Sequence, residues 1–454
     1  MIQSVYTWVR RLFHRLFQNE LTRRVVKNSG YLFSATGLSA ALSMLQGILI
    51  ARLLGVENYG ILGAIIMFTS VINKLVSFRM GELVIKYVAQ YSEAGDQRRA
   101  ATVFKSALLV EMAASVLAFV LLCALAPLAA RFLAKDPSTT GWFILYGMIV
   151  LANLVSESSM GLLQIFDRFR NVAALSLVQS VVTLCLVGIV FIADGGMVGV
   201  LLSYLVGKAV GALTLSSGSL VEANRHWGRG WWRTPVSALK SEWRELGHFA
   251  VNTNISASLS LINKDSELLW VSFFRGPVET GYYKLAISLA NIIQLPVSPL
   301  PQATYPELTR QAARGNWHDL HSVLRQGSIL AASYTVPAML VLVFLGRPLI
   351  AFLYTPEYLP AYPALLILLA GFLFANIFYW RRNALLALGR PDFPAKLNVI
   401  LAVLKVIGIL LFVPRYGYLA SAALLSAFYI AASLISFIKV RLLLAERLSM
   451  TELV

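Results

Sequence analysis

Long apolar runs alternate with short polar segments along almost the whole chain. A bilayer core about 30 Å thick requires roughly 20 mainly apolar residues per helix, so the pattern predicts about twelve transmembrane helices. Their predicted bounds are 30–52, 59–78, 106–130, 141–163, 172–193, 197–220, 248–273, 281–301, 324–345, 362–380, 394–413 and 418–438. The predicted fold class is an all-α polytopic membrane protein, because a β-barrel would show short alternating segments instead.

The first 28 residues follow a different pattern. Apolar residues recur there at helical spacing, with Arg10, Arg11, His14 and Arg15 between them. This pattern predicts an amphipathic helix on the membrane surface over 1–28, and the alternative is a basic tail. No short apolar core with a cleavage site follows, so no cleavable signal peptide is expected.

Composition excludes the soluble and disordered classes. Hydrophobic residues make up 58% of the 454 residues and charged residues only 13%, about half the share of a soluble domain. Two cysteines, Cys123 and Cys185, both in apolar runs, provide neither a disulfide framework nor a zinc site. The net charge of +17 does not indicate nucleic acid, because the bases lie between apolar runs.

The distribution of bases predicts the topology. With the N-terminus in the cytoplasm, about 28 of the 39 Lys and Arg residues fall in cytoplasmic segments and about six on the opposite side. Cytoplasmic loops of membrane proteins carry such an excess. Both termini are therefore expected in the cytoplasm. The expected location of the protein is a bacterial-type inner membrane, which it crosses several times.

The chain repeats itself at an offset of about 221 residues. Gly55 and Gly60 align with Gly276 and Gly281, and Pro127 aligns with Pro348. Two six-helix parallel repeats that face each other across a central cleft are therefore expected. The predicted organisation is an N-terminal lobe over 29–220, a C-terminal lobe over 248–440 and a cytoplasmic tail over 441–454. The cytoplasmic linker between the lobes, 221–247, has four tryptophans and is expected at the headgroup level.

The seventh span carries the strongest polar signal. Five polar residues share one helical face there: Asn252, Ser256, Ser260, Asn263 and Glu267. Lys264 and Asp265 lie beside them, and each charge at the bilayer centre costs about 2.5–3.5 kcal/mol. This face is expected to contact water, a ligand or polar partners, with a local Lys264–Glu267 pair as the structural alternative.

Other spans add polar residues. Gln46 in the first span aligns with Glu267, and Lys284 and Asn291 lie on one face of the eighth span. Glu111, Lys208 and Lys405 are isolated charges inside spans. Lys208 and Lys405 are candidate cavity bases, and the alternative for Lys208 is that its ammonium reaches the interface. Arg52 and Arg275 follow equivalent spans of the two repeats, either at an outer mouth or as interfacial anchors. Small polar residues in membrane helices also serve to pack helices together. For the serines on these polar faces, such packing is the alternative to contact with a ligand.

Several segments together resemble a known family. The sequence ARLLGVENYGILGAI, which begins at Ala51, resembles the Leu-Gly-x-x-x-Tyr-Gly turn of the polysaccharide and oligosaccharide lipid flippases. IKYVAQYSEAGD from Ile85 and FFRGPVETGYYKLA from Phe273 are similar to other segments of that family. The motifs mark the multidrug/oligosaccharidyl-lipid/polysaccharide exporter superfamily more specifically than any substrate.

The resemblance implies a transporter of two six-helix lobes around a V-shaped central cavity. Such a protein moves a polyprenyl-pyrophosphate-linked oligosaccharide from the cytoplasmic to the outer leaflet by alternating access. Units of O-antigen, capsule or exopolysaccharide are favoured over peptidoglycan precursors, whose flippases usually have two further helices. Cavity bases suit a pyrophosphate and amides suit sugar hydroxyls. The substrate-binding candidates are Arg52, Lys264, Lys284, Lys405, Asn252, Asn263, Asn291 and Gln46, and the coupling candidates are Asp265, Glu267 and Glu111.

Expected partners are the lipid-linked oligosaccharide, membrane lipids, and polysaccharide polymerase and glycosyltransferases of the same pathway. No cofactor and no metal are expected, and the coupling ion, H⁺ or Na⁺, is open. The alternative function is a cation-coupled multidrug or metabolite exporter of the same superfamily. An enzyme is disfavoured, because no histidine lies with a nucleophile on a plausible active face.

Overall fold

In the computed structural model the structure describes residues 20–251, 254 and 266–452, with side chains from Ala35 to Ser449 within those ranges. All regular secondary structure in this part of the chain is helical. The α-helices of the first half are α1 Glu20–Val76, α2 Met80–Glu93, α3 Gln97–Ala129, α4 Thr140–Ala152, α5 Ser156–Ile165, α6 Phe169–Ile192 and α7 Gly196–Trp227. Those of the second half are α8 Glu267–Arg275, α9 Pro277–Gln294, α10 Leu300–Ala313, α11 Trp317–Leu353, α12 Ala361–Ile377, α13 Arg381–Ala387 and α14 Asp392–Glu452.

The membrane-spanning pattern agrees with the sequence. Eight helices of the described residues are long and apolar enough to cross a bilayer. Two of these segments are each long enough for two crossings at about 1.5 Å per residue. They are Ala35–Glu93, which has 59 residues and includes part of α1 and all of α2, and Asp392–Ser449, which has 58 residues and lies within α14. Large apolar side chains such as Ile192 (86% exposed) and Phe352 (75% exposed) point outward, as lipid-facing residues do. The all-α, multi-pass fold is confirmed.

Backbone conformation confirms the internal repeat. Gly55 has φ 69° and ψ 176°, and Gly276 has φ 84° and ψ −174°, a combination that residues with a Cβ atom rarely adopt. Gly196 and Gly417, also 221 residues apart, have φ of 56° and 64°. Each pair occupies the equivalent helix–helix turn of its repeat, and both glycines of each pair have positive φ.

The fourth span is interrupted where a continuous helix was expected. α4 ends at Ala152 and α5 begins at Ser156. Asn153 donates from its amide to the Ile149 carbonyl at 3.1 Å and accepts from the Ser156 hydroxyl at 3.1 Å. A side chain that bonds the backbone locally competes with helix continuation, which explains the break.

The helices form two compact units. The described residues of the first unit lie within Met1–Gly47, Ile72–Cys123 and Leu145–Ala257, and its apolar core includes Val84, Phe104 and Leu162. Those of the second unit lie within Ile48–Val71, Ala124–Ile144 and Ser258–Val454. Its core includes Leu320, Trp380 and Leu385.

Within the second unit, the turn of α1 at Gly55 packs on the turn between α8 and α9. A methyl group on Gly60 would overlap the Pro277 carbonyl oxygen, and one on Gly281 would overlap the Val56 carbonyl oxygen. Both positions therefore require glycine, and the repeat-related residues Gly60 and Gly281 face each other's turns.

Candidate functional site

Four of the predicted site residues, Asn252, Asn263, Lys264 and Asp265, lie outside the described residues. The remaining candidates are distributed over both units, and their partners differ.

Glu267 and Lys405 form a buried ion pair in the second unit. Lys405 Nζ on α14 donates to Glu267 Oε1 at the start of α8. Lys405 is 3% exposed and Glu267 is 1% exposed, and the Lys405 ammonium lies 5.4 Å from the centre of the Phe428 ring. Two opposite charges that are removed from water in this way stabilise each other.

Glu111 caps a helix in the first unit. Its two carboxylate oxygens accept hydrogen bonds from the backbone N–H groups of Glu157 and Ser158, at 2.8 and 2.9 Å. These N–H groups belong to the first turn of α5, which has no partners for them within the helix. Glu111 is 7% exposed. Its two hydrogen bonds place the carboxyl group against the positive N-terminal end of the α5 dipole.

Arg52 of α1 contacts the C-terminal end of α11. Its Nε donates to the Leu353 carbonyl at 2.8 Å, and its Nη2 donates to the Phe352 carbonyl. The neighbouring Ala51 carbonyl accepts from the Tyr358 hydroxyl at 2.9 Å. The arginine bonds satisfy carbonyls that a helix end leaves without partners, so Arg52 ties α1 to α11.

Lys284 of α9 has aromatic and carbonyl partners. Its Nζ lies 4.0 Å from the centre of the Tyr59 ring and 3.3 Å from the Tyr59 carbonyl oxygen. Its stem crosses Gly63, where a Cβ atom would lie 2.7 Å from the lysine Cδ. Among the residues that the structure describes, no carboxylate pairs with it.

The two amide candidates differ in burial. Gln46 is 4% exposed and donates from Nε2 to the Ser180 carbonyl at 2.9 Å, which joins α1 to α6 in the first unit. Asn291 of α9 is exposed.

A cavity of about 400 Å³ lies within the first unit, between α1, the break after α4, α6 and α7. Its polar lining consists of Thr36, Ser39, Asn153, Ser156, Glu157, Ser176, Gln179, Ser180 and Lys208. Lys208 is half-buried and has no hydrogen bond or ion pair to any described residue. Glu157, the cavity's acid, has Arg79 and Glu82 as charged neighbours.

Close helix packing forms the wall of this cavity. A Cβ atom on Gly207 or Gly211 of α7 would overlap Thr183 or Gln179 of α6. From the sequence, Lys208 is a candidate cavity base but is not one of the substrate-binding candidates, and no α6 residue is among them. A signal for the α6 residues exists, because Ser176, Gln179, Ser180 and Thr183 lie at helical spacing on one face.

A family model described as "Polysaccharide biosynthesis protein" matches residues 25–311. The chain belongs to this family. A second family model, described as MatE, matches residues 267–411 of the chain.

A curated relative is the inner membrane protein YghQ of Escherichia coli. It is 21% identical over 360 residues, which cover 76% of this family member and 97% of the relative.

Solved structures share the fold. An inward-facing multidrug resistance MATE family transporter of the MOP superfamily superposes with a TM-score of 0.75 and 15% identity, over 90% of this chain and 96% of that one. The lipid II flippase MurJ in an inward closed conformation has a TM-score of 0.69 and 19% identity, over 90% and 87%. A MOP superfamily transporter from Pyrococcus furiosus, described as having a binding pocket of reverse polarity, has a TM-score of 0.65 and 13% identity, over 95% and 98%.

The recognition from sequence is therefore confirmed. The chain is a multi-pass membrane protein of the polysaccharide biosynthesis family, and it has the fold of the transporters of the multidrug/oligosaccharidyl-lipid/polysaccharide exporter superfamily.

Proposed function

We propose that the chain flips a polyprenyl-pyrophosphate-linked oligosaccharide, a unit of O-antigen, capsule or exopolysaccharide, from the cytoplasmic to the outer leaflet by alternating access. The observation that carries this proposal is the pairing of charges inside the spans. Glu111 is held by two backbone N–H groups and Glu267 by Lys405, whereas Lys208 and Lys284 have no carboxylate partner among the described residues.

An unneutralised cation within a membrane span is costly and marks a ligand path more often than a packing element. A diphosphate is the lipid-linked group that would gain most from such cations, because an ammonium makes a charge-assisted hydrogen bond to phosphate oxygen. A cationic drug would instead be repelled by Lys208 and Lys284. The sign of the free charge thus favours an anionic substrate.

The cavity around Lys208 suits the head of such a lipid. Its volume of about 400 Å³ lies near the lower end of the roughly 300–1,000 Å³ typical of small-molecule sites, so it fits a headgroup rather than a whole oligosaccharide. Asn153, Ser176 and Gln179 line it and offer donors and acceptors for sugar hydroxyls. In this proposal Lys208 contacts the diphosphate and these polar residues contact the first sugar.

The other candidates keep distinct proposed roles. Lys264, Asn252 and Asn263 remain proposed substrate contacts from the seventh span, and Asp265 remains a proposed coupling residue. Glu111 and Glu267 have partners that give them a structural role in this proposal, and Arg52 is assigned to joining α1 with α11.

A cation-coupled exporter is the second candidate function, and the match of the MatE model to residues 267–411 favours it. It requires a free acid in the substrate path, which Asp265 or Glu157 would have to supply.

The test is translocation in liposomes by the purified protein. A polyprenyl-pyrophosphate oligosaccharide and a cationic dye are offered separately, and wild type is compared with Lys208→Gln, Lys284→Gln and the control Lys396→Gln. Lys396 is an exposed lysine paired with Asp392, so its substitution makes the same chemical change outside the cavity. Loss of one charge-assisted contact, about 1.5–3 kcal/mol, predicts a fall in lipid movement of about tenfold or more in Lys208→Gln.

Movement of the lipid-linked sugar by wild type and the control, reduced in the two span variants and without dye transport, is the expected result. Dye transport coupled to a proton or sodium gradient, without movement of the lipid, would contradict the proposal and establish the second candidate.

A further inference from the structure

The linker between the sixth and seventh spans is fixed to the first unit. It contains two short 3₁₀ helices, Trp231–Arg233 and Val236–Leu239. Trp231 is buried 5.4 Å from Phe104, measured between ring centres, and its indole N–H donates to Asn224 at 3.0 Å. Lys105 Nζ donates to the Thr234 carbonyl at 3.0 Å. The linker is therefore an ordered part of this unit's surface.

Two acidic side chains at the end of the linker accept hydrogen bonds from α2. Glu245 accepts from the Tyr87 hydroxyl at 2.8 Å, and Glu242 accepts from the Tyr91 hydroxyl. Glu242 also lies 3.7 Å from the Arg99 guanidinium. These carboxylates are thereby engaged by groups of α2 and α3.

The basic side chains of the same linker point outward. Four bases are exposed and, within the part of the chain that the structure describes, none has a carboxylate partner: Arg229, Arg233, Lys240 and Arg244. Two tryptophans accompany them, Trp232 at 54% exposure and Trp243 at 58%. The Arg233 guanidinium lies 5.0 Å from the centre of the Trp232 ring. We call residues 229–244 the basic strap.

The length of α7 places the basic strap near the lipid headgroups. The predicted sixth span ends at residue 220, and α7 continues to Trp227. Seven residues at about 1.5 Å each extend about 10 Å beyond the hydrocarbon, close to the depth of the interfacial layer. Exposed tryptophans are enriched at this level, where their rings contact both lipid and water.

We propose that the basic strap binds anionic phospholipid headgroups of the leaflet beside it. Bases near an anionic membrane surface are attracted to it, and the four bases of the strap outnumber its single acid, Glu242. The tryptophans enter the interface and hold the bases at headgroup depth. This surface is separate from the cavity of the proposed function, and the proposal does not depend on the transported substrate.

Fluorescence quenching in reconstituted bilayers tests the proposal. The protein is placed in mixtures of phosphatidylglycerol and phosphatidylcholine in which only one of the two lipids is brominated. The chain has 9 tryptophans, so the contribution of the strap is the signal lost in the double variant Trp232→Phe/Trp243→Phe. Arg229→Gln/Arg233→Gln/Arg244→Gln is compared with the control Arg314→Gln/Arg382→Gln/Arg390→Gln, which removes three arginines elsewhere.

Stronger quenching of the strap signal by brominated phosphatidylglycerol than by the same mole fraction of brominated phosphatidylcholine is expected. Each base near an anionic surface changes association by about fivefold, so the strap triple variant should lose this preference while the control triple variant retains it. Higher salt should reduce the preference in wild type, because exposed charges are screened.

Equal quenching by the two lipids in wild type would overturn the proposal, as would an equal loss of preference in both triple variants. Absence of quenching by either lipid would also overturn it, because the strap tryptophans would then lie outside the bilayer.

Discussion

Four charged side chains in the spans illustrate how partners decide the role of a residue. Glu267 and Lys405 neutralise each other at 1% and 3% exposure, and Glu111 is satisfied by backbone N–H groups. Lys208 faces a polar cavity without such a partner among the described residues. Stability is therefore the expected consequence of changing the first three, and transport that of changing Lys208.

The Glu267–Lys405 pair is tested by a double-mutant cycle. Glu267→Gln or Lys405→Met alone leaves a buried charge without its partner and is expected to lower the free energy of unfolding by about 3–5 kcal/mol. The double variant should recover a large part of that loss. Thermal unfolding in detergent measures all four proteins, and additive losses in the double variant would contradict the ion pair.

Glu111 is tested by shortening its side chain. Glu111→Ala removes both acceptors from the N–H groups of Glu157 and Ser158, whereas Glu111→Gln retains one acceptor oxygen. Leaving a buried N–H without a partner costs about 1–3 kcal/mol, so stability should fall in the order wild type, Gln, Ala. Loss of transport in Glu111→Gln at unchanged unfolding temperature would instead support the coupling role.

Among the elements, the crossing of the two repeat-related turns depends on glycine. Gly60 of α1 contacts the Pro277 carbonyl, and Gly281 of α9 contacts the Val56 carbonyl. Since backbone atoms on both sides form this contact, neither side can yield as a flexible side chain would. The crossing therefore sets how closely α1 and α9 approach within the second unit.

Gly60→Ala is expected to separate this crossing and to destabilise the protein by about 1–3 kcal/mol, as overpacking does. Gly188→Ala is the matched control, because a Cβ atom there would meet nothing within 4 Å and α6 would gain helix propensity. The unfolding temperature in detergent measures both. Equal unfolding temperatures for Gly60→Ala and wild type would show that the close contact is absent.

What the sequence predicts at this scale is mostly local. Span positions follow from apolar runs, and the alignment of Gly55 with Gly276 anticipated two turns with matching dihedral angles. The partner of Glu267 was not predictable in this way, because Lys405 is 138 residues distant and several lysines were available. The Asn153 break was also missed, because the window of about 20 residues that locates a span averages over the polar residues between Asn153 and Ser159.

For the whole molecule, the distribution of bases predicts that both termini and the basic strap lie in the cytoplasm. Single cysteines at Glu57→Cys and Lys240→Cys, in a background without Cys123 and Cys185, test this with a membrane-impermeant maleimide. Labelling of position 57 in intact cells is expected, with labelling of position 240 only after permeabilisation. The reverse pattern would invert the proposed direction of transport.

The central claim is that free positive charge in the first unit selects an anionic lipid head. Equilibrium binding to the purified protein tests it most directly, with polyprenyl pyrophosphate, polyprenyl monophosphate and uncharged polyprenol as ligands. Affinity is predicted to fall in that order, and Lys208→Gln should reduce the preference for pyrophosphate over polyprenol by about tenfold or more, while Lys396→Gln preserves it. Equal affinity for all three ligands in wild type, or an unchanged preference in Lys208→Gln, would contradict the account.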